Sequence, residues 1–415
     1  MKKIFRILIF IILVISIIVI IQKYNQKQDT LPKVMLTGDI LDIDKKNTVK
    51  NIELEYIENG KRKFKTSATI KWQGNSTLKY EKKNYTINLY DENYENKNKI
   101  DIDKGWGKQS KYCLKANYID SIQARNIVSA RLVAQMQDKY NLYQNTPNNG
   151  MIDGFPVEVY INNKYYGLYT WNIPKDEWTF GMDKKNENHI VMCAEDKNEK
   201  TSTNFWKNAV SVDGQEWSIE VGPNKSVKDV RKTFSKLNRV ISFVNSSTDE
   251  QFKENISKYL NLDACLNYYC FINLATAIDN CSNNMLLVTY DGKVWYPTLY
   301  DLDSTWGLTW DGNGLISNDA EFPKDYIGGE SVLWSKLERC FSKEIKQRYW
   351  ELRNTVLSDE NIINEFTEFV NDIPESAWKR EHKMWKDIPS LKYDITQIKQ
   401  NVQERGKYLD TLMAN

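Results

Sequence analysis

Histidine is scarce in this sequence, and its scarcity limits the chemistry that the protein can perform. Only His189 and His382 occur among 415 residues. Histidine-rich zinc sites are therefore excluded, and a Ser-His-Asp triad would have to use one of these two residues. Neither lies near a recognisable nucleophile motif. We therefore expect carboxylates to carry any acid–base catalysis.

Cysteine pairs and excess charge are also missing. The six cysteines include no C-x-x-C pair, which argues against a zinc ribbon or a thioredoxin-type site. Their low density favours buried free thiols over a disulfide scaffold. The formal net charge is only +2, so no overall field attracts nucleic acid, and we expect no nucleic-acid partner.

The N-terminus has the pattern of a membrane anchor. Lys2, Lys3 and Arg6 flank an almost uninterrupted apolar run over residues 7–21. The next residues, 22–27, contain no small residue at which a signal peptidase would cleave. We therefore expect an uncleaved single-pass helix in the cell membrane, and a cleaved signal peptide is the alternative. In either case the basic flank stays inside and the rest of the chain is extracytoplasmic.

Strand patterns occupy the first third of the chain. Residues 52–56 alternate between apolar and charged types, and Asn59-Gly60 then predicts a type I′ hairpin turn. Lys83–Leu89 shows strict alternation, and a second hairpin is predicted at 157–169, with its turn at Asn162-Asn163.

Helical spacing of apolar residues covers 119–140, 227–277 and most of the chain beyond residue 328. Residues 183–227 are polar and rich in Asn and Lys, which predicts an irregular insertion or loose hairpins outside the core. The expected fold class is α+β, with antiparallel sheets first and a helical C-terminal part.

The stretch that carries chemistry begins at Asp279. Asn284 follows five residues later, then two short strands joined by a D-G turn, and then Asp301 and Asp303. Phosphoryl transfer from ATP needs a carboxylate to accept the proton of the attacking hydroxyl, and oxygen ligands to hold Mg²⁺. Protein kinases use an Asp, an Asn five residues on and an Asp after a hairpin for these tasks.

A structural interpretation of the same residues stays open. Asp279 can cap a helix end, the asparagines can form a turn, and Asp301 and Asp303 can be surface loop residues. The spacing alone does not decide between the two.

A phosphate-binding cation is predicted near the third strand. Lys83 shares a strand face with residues 85, 87 and 89, so we expect it to point inward and Lys82 to point the opposite way. A buried lysine needs a counter-charge or a bound phosphate. Alternatively, Lys79, Lys82 and Lys83 form an exposed basic edge that discourages aggregation.

Four ordered blocks stand out over roughly residues 31–340. They are the G-N-S-T and K-K-N-Y-T-I-N-L runs within Trp72–Leu89, Leu114–Asn126 with its Arg-Asn pair, the hairpin Val157–Tyr169, and Trp295–Gly307 with its D-L-D run. Together these blocks resemble the signature of the CotH (spore coat protein H) kinase family.

This resemblance implies an atypical protein-kinase-like fold that binds ATP with Mg²⁺ and phosphorylates Ser/Thr of surface or spore-coat proteins. The expected organisation is an N-terminal transmembrane anchor at 1–21, a linker at 22–31, a CotH kinase-like domain at 32–340 and its helical C-terminal part at 341–415. Location at the cell membrane, or in the spore coat, would follow.

The resemblance also implies roles for the acidic residues. Asp279 would be the catalytic base, Asp301 the principal metal ligand, and Asn284 and Asp303 further metal ligands. Arg125 would orient either phosphate or this acidic cluster.

For the nucleotide, the resemblance makes Lys83 the phosphate-contacting residue, with Lys82 as the second choice. Trp295 would stack on adenine opposite a tyrosine, either Tyr160 or Tyr169.

Two positions depart from the family pattern. An acidic residue is usual soon after the second hairpin, whereas this chain continues Thr170-Trp171-Asn172, and Tyr300 stands where the family has Trp before D-L-D. The alternative function on the same fold is a catalytically silent scaffold or adhesion module. A glycan-processing site would need two carboxylates at a spacing that the sequence does not define.

Overall fold

A computed structural model describes residues 30–143, 146–195, 206–207, 216–223, 226–321 and 331–414. The chain divides into two units, described separately below. The first unit contains the described residues up to Ala116, with Pro156–Trp171 and Asn371–Lys386. The second contains Asn117–Phe155, Asn172–Val370 and the residues from Asp387 onward.

The first unit is built around a closed seven-stranded barrel of order β1-β2-β3-β4-β7-β9-β8. Strands β1 and β8 close it as a parallel pair, so the prediction of antiparallel sheets is wrong at this pair. In chain order the strands are β1 (Lys33–Thr37), β2 (Lys50–Glu58), β3 (Lys61–Gln73), β4 (Asn84–Tyr90), the short pair β5 (Ile100–Asp101) and β6 (Lys108–Gln109), β7 (Lys111–Lys115), β8 (Gly154–Ile161) and β9 (Lys164–Asn172).

Turn chemistry and aromatic packing explain this barrel. Asn59 and Gly60 have φ of 53° and 70°, as a type I′ turn requires, so the predicted β2–β3 hairpin is confirmed. Trp171 packs inside, with ring centroids 4.9 Å from Tyr112 and 6.0 Å from Tyr56. All three side chains are buried.

The second unit contains a four-stranded antiparallel sheet of order β11-β10-β12-β13. Its strands are β10 (Ile190–Ala194), β11 (Trp217–Val221), β12 (Met285–Thr289) and β13 (Tyr296–Leu299). Every residue of β10 is buried. The prediction that 183–227 lies outside the core is therefore wrong for β10, because a run of five apolar residues inside a polar segment is enough to form a central strand.

Eight helices are described, and their positions confirm the predicted helical regions. They are α1 (Arg125–Lys139), α2 (Val227–Ser246), α3 (Asp249–Asn255), α4 (Leu262–Leu274), α5 (Val332–Arg353), α6 (Asp359–Asn371), α7 (Glu375–Met384) and α8 (Ile395–Ala414). The α+β class is confirmed. Helix α7 lies in the first unit.

The predicted anchor at 1–21 and the linker as far as residue 29 lie outside the described residues, so both stay predictions. Within the described ranges, no helix has the length and apolar character needed to cross a membrane. None of the six cysteines, all of which lie in the described ranges, forms a disulfide, and five of them are buried, as predicted.

Candidate functional site

The β12–β13 hairpin positions the predicted acidic residues in the second unit. Asp279 begins a short 3₁₀ turn after α4, and the Asn284 side-chain amide lies 3.5 Å from the Asp279 carboxylate. The five-residue spacing therefore brings these two side chains together, as a shared role in one site requires.

Asp301 follows the other strand of the same hairpin. Met285 pairs with Leu299, so Asn284 and Tyr300 leave the sheet at the same end, and Asp301 comes next. The Asn280 side-chain amide donates to the Tyr300 carbonyl at 2.8 Å and ties the two segments together. The side chains of Asp279, Asn284, Asp301 and Asp303 are all half-buried, a position that a ligand can reach.

Two of these residues have an uncommon backbone conformation. Asn284 has φ of 53° and Asp301 has φ of 55°, both in the left-handed region. Asn and Asp tolerate this region better than other non-glycine residues. Such conformations persist where the surrounding structure imposes them, and they concentrate at functional sites.

Helix α1 supplies the third side of the site. The Asn126 side-chain oxygen accepts a hydrogen bond from Leu302 N at 3.1 Å. Arg125 is fully buried, and its Nε donates to the Thr305 carbonyl at 3.1 Å. Its remaining donors bind Asp120 and Gln397. Arg125 thus contacts the loop after Asp301, whereas contact with phosphate stays a prediction.

The donor set fits Mg²⁺ bound together with a nucleotide. No group of three or more His, Cys, Asp or Glu side chains that could hold a metal occurs in the part of the chain that the structure describes. Asn284, Asp301 and Asp303 offer two carboxylates and one amide oxygen. Mg²⁺ is typically bound by one or two carboxylates, with phosphates and water as the other ligands, so a complete protein cage is not required.

Lys82, in the first unit, is 1% exposed. Its Nζ lies 2.5 Å from Glu381 Oε1, and both side chains are completely buried. Nζ also donates to the carbonyls of Ala116 and Leu168, and Leu168 N donates to Glu381 Oε2 at 2.6 Å. Burial lowers the pKa of Lys82, while Glu381 acts in the opposite direction.

The predicted orientations of Lys82 and Lys83 are therefore wrong. Lys83 is half-buried, and its Nζ donates to the carbonyls of Leu78 and Tyr80 and lies 4.9 Å from the Trp72 ring centroid. The physical reason is that β4 begins at Asn84, so strand alternation does not extend back to the two lysines. The role of Lys83 at phosphate stays a prediction.

The predicted aromatic contacts to adenine also stay predictions. Trp295 is fully buried in the second unit, and its indole N–H has no hydrogen-bond partner among the described residues. In the first unit, Tyr160 donates to Glu158 at 3.2 Å. Tyr169 is buried, with its ring centroid 4.6 Å from Lys82 Nζ.

Glu381 is a candidate functional residue that the sequence pattern did not single out. It lies on α7 and pairs with Lys82. The local signal for Glu381 is that it follows Ala377 by four residues. Residues four apart share one face of a helix, and both side chains are buried. A glutamate on the buried face of a helix indicates a paired charge.

A half-buried cation, Lys175, lies beside Tyr300. Lys175 Nζ is 4.1 Å from the Tyr300 ring centroid, 3.2 Å from Glu220 and 3.3 Å from Cys193 Sγ. Burial lowers the pKa of Lys175, but Cys193, Tyr300 and Glu220 raise it more, so the net shift is upward. Burial raises the pKa of the Cys193 thiol to about 11, and Lys175 opposes this shift.

Together, the fold and the site define an α+β protein. Its first unit has a closed barrel and a buried lysine–glutamate pair, and its second unit has a hairpin that presents an Asp-Asn-Asp set. The family model described as CotH kinase protein matches residues 70–409, which is most of the chain. The chain belongs to the CotH kinase family, as the sequence motifs predict. A search of curated proteins found no match.

Proposed function

We propose that the protein is an ATP- and Mg²⁺-dependent phosphotransferase with an atypical protein-kinase-like fold, acting on Ser/Thr of surface or spore-coat proteins. The observation that carries this proposal is the set of Asp279, Asn284 and Asp301 on one hairpin end, with two of the three in left-handed backbone conformations. Family membership supports a kinase-related function.

Each residue has a defined role in the proposed reaction. Asp279 accepts the proton of the attacking hydroxyl, while Asn284 interacts with its carboxylate and offers an oxygen to metal. Asp301 and Asp303 hold the metal. Mg²⁺, when bound, neutralises charge on the phosphates.

Lys82 fits a phosphate contact better than Lys83, because protein kinases use a lysine paired with a glutamate. Its three N–H groups are taken by Glu381 and two carbonyls, so a phosphate would have to replace one of the carbonyls. At the cell level, we propose membrane attachment through residues 1–21, with the domain extracytoplasmic.

The alternative is a catalytically silent scaffold or adhesion module. The buried Trp295 and the fully paired Lys82 favour it, because neither presents an open contact for a nucleotide.

Nucleotide binding and transfer with the Asp279→Asn variant test the assigned chemistry. We expect calorimetry to show Mg²⁺-ATP binding to wild type and to the variant alike, with transfer lost only in the variant. Loss of binding in the variant would mean that the role of Asp279 is wrong. A wild type that binds no nucleotide would favour the scaffold.

A further inference from the structure

One contact from α1 reaches the peptide bond next to Asp301. The acceptor is Asn126 Oδ1 and the donor is Leu302 N, at 3.1 Å and 176 residues apart in the chain. Asn126 is 3% exposed, so water does not compete freely for this bond. Because Leu302 N belongs to the peptide plane that follows Asp301, the bond fixes the orientation of that plane and restrains the backbone of Asp301.

The same face of α1 holds the rest of the loop. Arg125 Nε donates to the Thr305 carbonyl, and the Trp306 indole donates to Ser129 Oγ at 2.9 Å. Thr305 Oγ1 in turn donates to the Leu302 carbonyl at 2.8 Å. Within this network, Asn126 contacts the residue directly after Asp301, so it acts nearest to the carboxylate.

The amide of Asn126 suits this position chemically. It accepts a hydrogen bond without adding negative charge next to the acidic set, whereas a carboxylate there would repel Asp301. An aliphatic side chain would leave Leu302 N buried without an acceptor, which is destabilising. The left-handed backbone at Asp301, with φ of 55°, needs such support to persist.

We propose that Asn126 is a positioning residue for the metal-binding carboxylate of Asp301, and that it thereby sets the Mg²⁺ requirement of the site. This inference rests on the proposed function, because it assumes that Asp301 binds metal with a nucleotide. Helix α1 thus contributes to metal affinity by positioning Asp301, whereas the hairpin carries the metal ligands themselves.

The test compares Asn126→Leu with Gln137→Leu in the full chain. Gln137 is on the same helix, is also 3% exposed, and donates to Thr298 in β13 at 2.8 Å, so its loss removes a comparable buried bond away from the loop. The measurements are the Mg²⁺ concentration for half-maximal phosphate transfer, Mg²⁺-dependent ADP binding by calorimetry, and thermal unfolding.

We expect both variants to lose similar stability, but only Asn126→Leu to require about tenfold more Mg²⁺ for transfer and for ADP binding, as one lost hydrogen bond predicts. If Asn126→Leu does not fold, Asn126→Ala replaces it with the same expected shift, because alanine also has no acceptor for Leu302 N.

Equal Mg²⁺ requirements in the Asn126 and Gln137 variants would overturn the positioning role while leaving the proposed function in place. A wild type that shows neither Mg²⁺-dependent nucleotide binding nor transfer would overturn the proposed function, and this inference with it.

Discussion

Lys82 and Glu381 form a completely buried ion pair, although 299 residues separate them in the chain. The pair joins the segment before β4 to α7, within one unit. A buried pair of this kind contributes little net stability compared with apolar residues of similar size, whereas removing one partner is strongly destabilising. The fold therefore gains little net stability by keeping this pair, which is consistent with a functional use.

We predict that Lys82→Met and Glu381→Leu, made singly, each lower the free energy of unfolding by about 3–5 kcal/mol, because each leaves a buried charge uncompensated. The double variant should recover most of this loss but show no phosphate transfer. Urea unfolding and a transfer assay measure the two effects.

Lys83→Met is the matched control for these variants, because Lys83 is the neighbouring lysine and has no part in the pair. It should unfold like wild type within about 1 kcal/mol, as a partly exposed site predicts. A double variant that transfers phosphate at the wild-type rate would show that the pair is purely structural.

Gly167 is predicted to be necessary for this pair. A Cβ at this position would lie 2.8 Å from Trp385 Nε1 and 3.0 Å from Lys82 Cε. We expect Gly167→Ala to lower the free energy of unfolding by about 1–3 kcal/mol, as overpacking does. At Gly314, a Cβ meets its nearest neighbour at 3.5 Å, so Gly314→Ala is the control and should unfold like wild type. Equal unfolding curves for the two variants would contradict the predicted crowding.

Alkaline pH is predicted to destabilise the second unit through Cys193. Its thiol ionises near 9.0 when unfolded, but burial raises its pKa to about 11 in the folded state. The folded state therefore keeps a proton that the unfolded state loses, and stability falls as pH rises from 9 to 11. The thiol's share is about 2–3 kcal/mol at one pKa unit per 1.36 kcal/mol.

Urea unfolding at several pH values checks this prediction with Cys193→Ala. We expect a shallower loss of stability between pH 9 and pH 11 in the variant than in wild type. Identical pH slopes would mean that the thiol is not protected by burial. The folded protein should also resist thiol alkylation at Cys193 at pH 8.

Local chemistry explains which features could be predicted from the sequence. The Asn59-Gly60 turn and the meeting of Asp279 with Asn284 depend on residues that are close in the chain, so patterns and spacing predict them. Helical periodicity likewise predicts α1 and the C-terminal helices.

Contacts between distant segments could not be predicted. No local pattern connects Lys82 with Glu381, and none shows that Asn126 binds Leu302, because these pairs depend on the complete tertiary fold. Strand β10 was missed because polar neighbours mask its short apolar run. The orientation of Lys82 and Lys83 depended on where β4 begins, and strand ends are the least predictable part of an element.

The most direct test of the account is transfer of labelled phosphate from ATP by the purified chain with Mg²⁺. Wild type should label itself or a Ser-rich acceptor protein. Asp301→Ala should abolish labelling while the variant stays folded, with a small loss of stability because alanine is strained at φ of 55°. Labelling that persists in Asp301→Ala, or a folded wild type that labels nothing with any divalent metal, would contradict the proposed phosphotransferase.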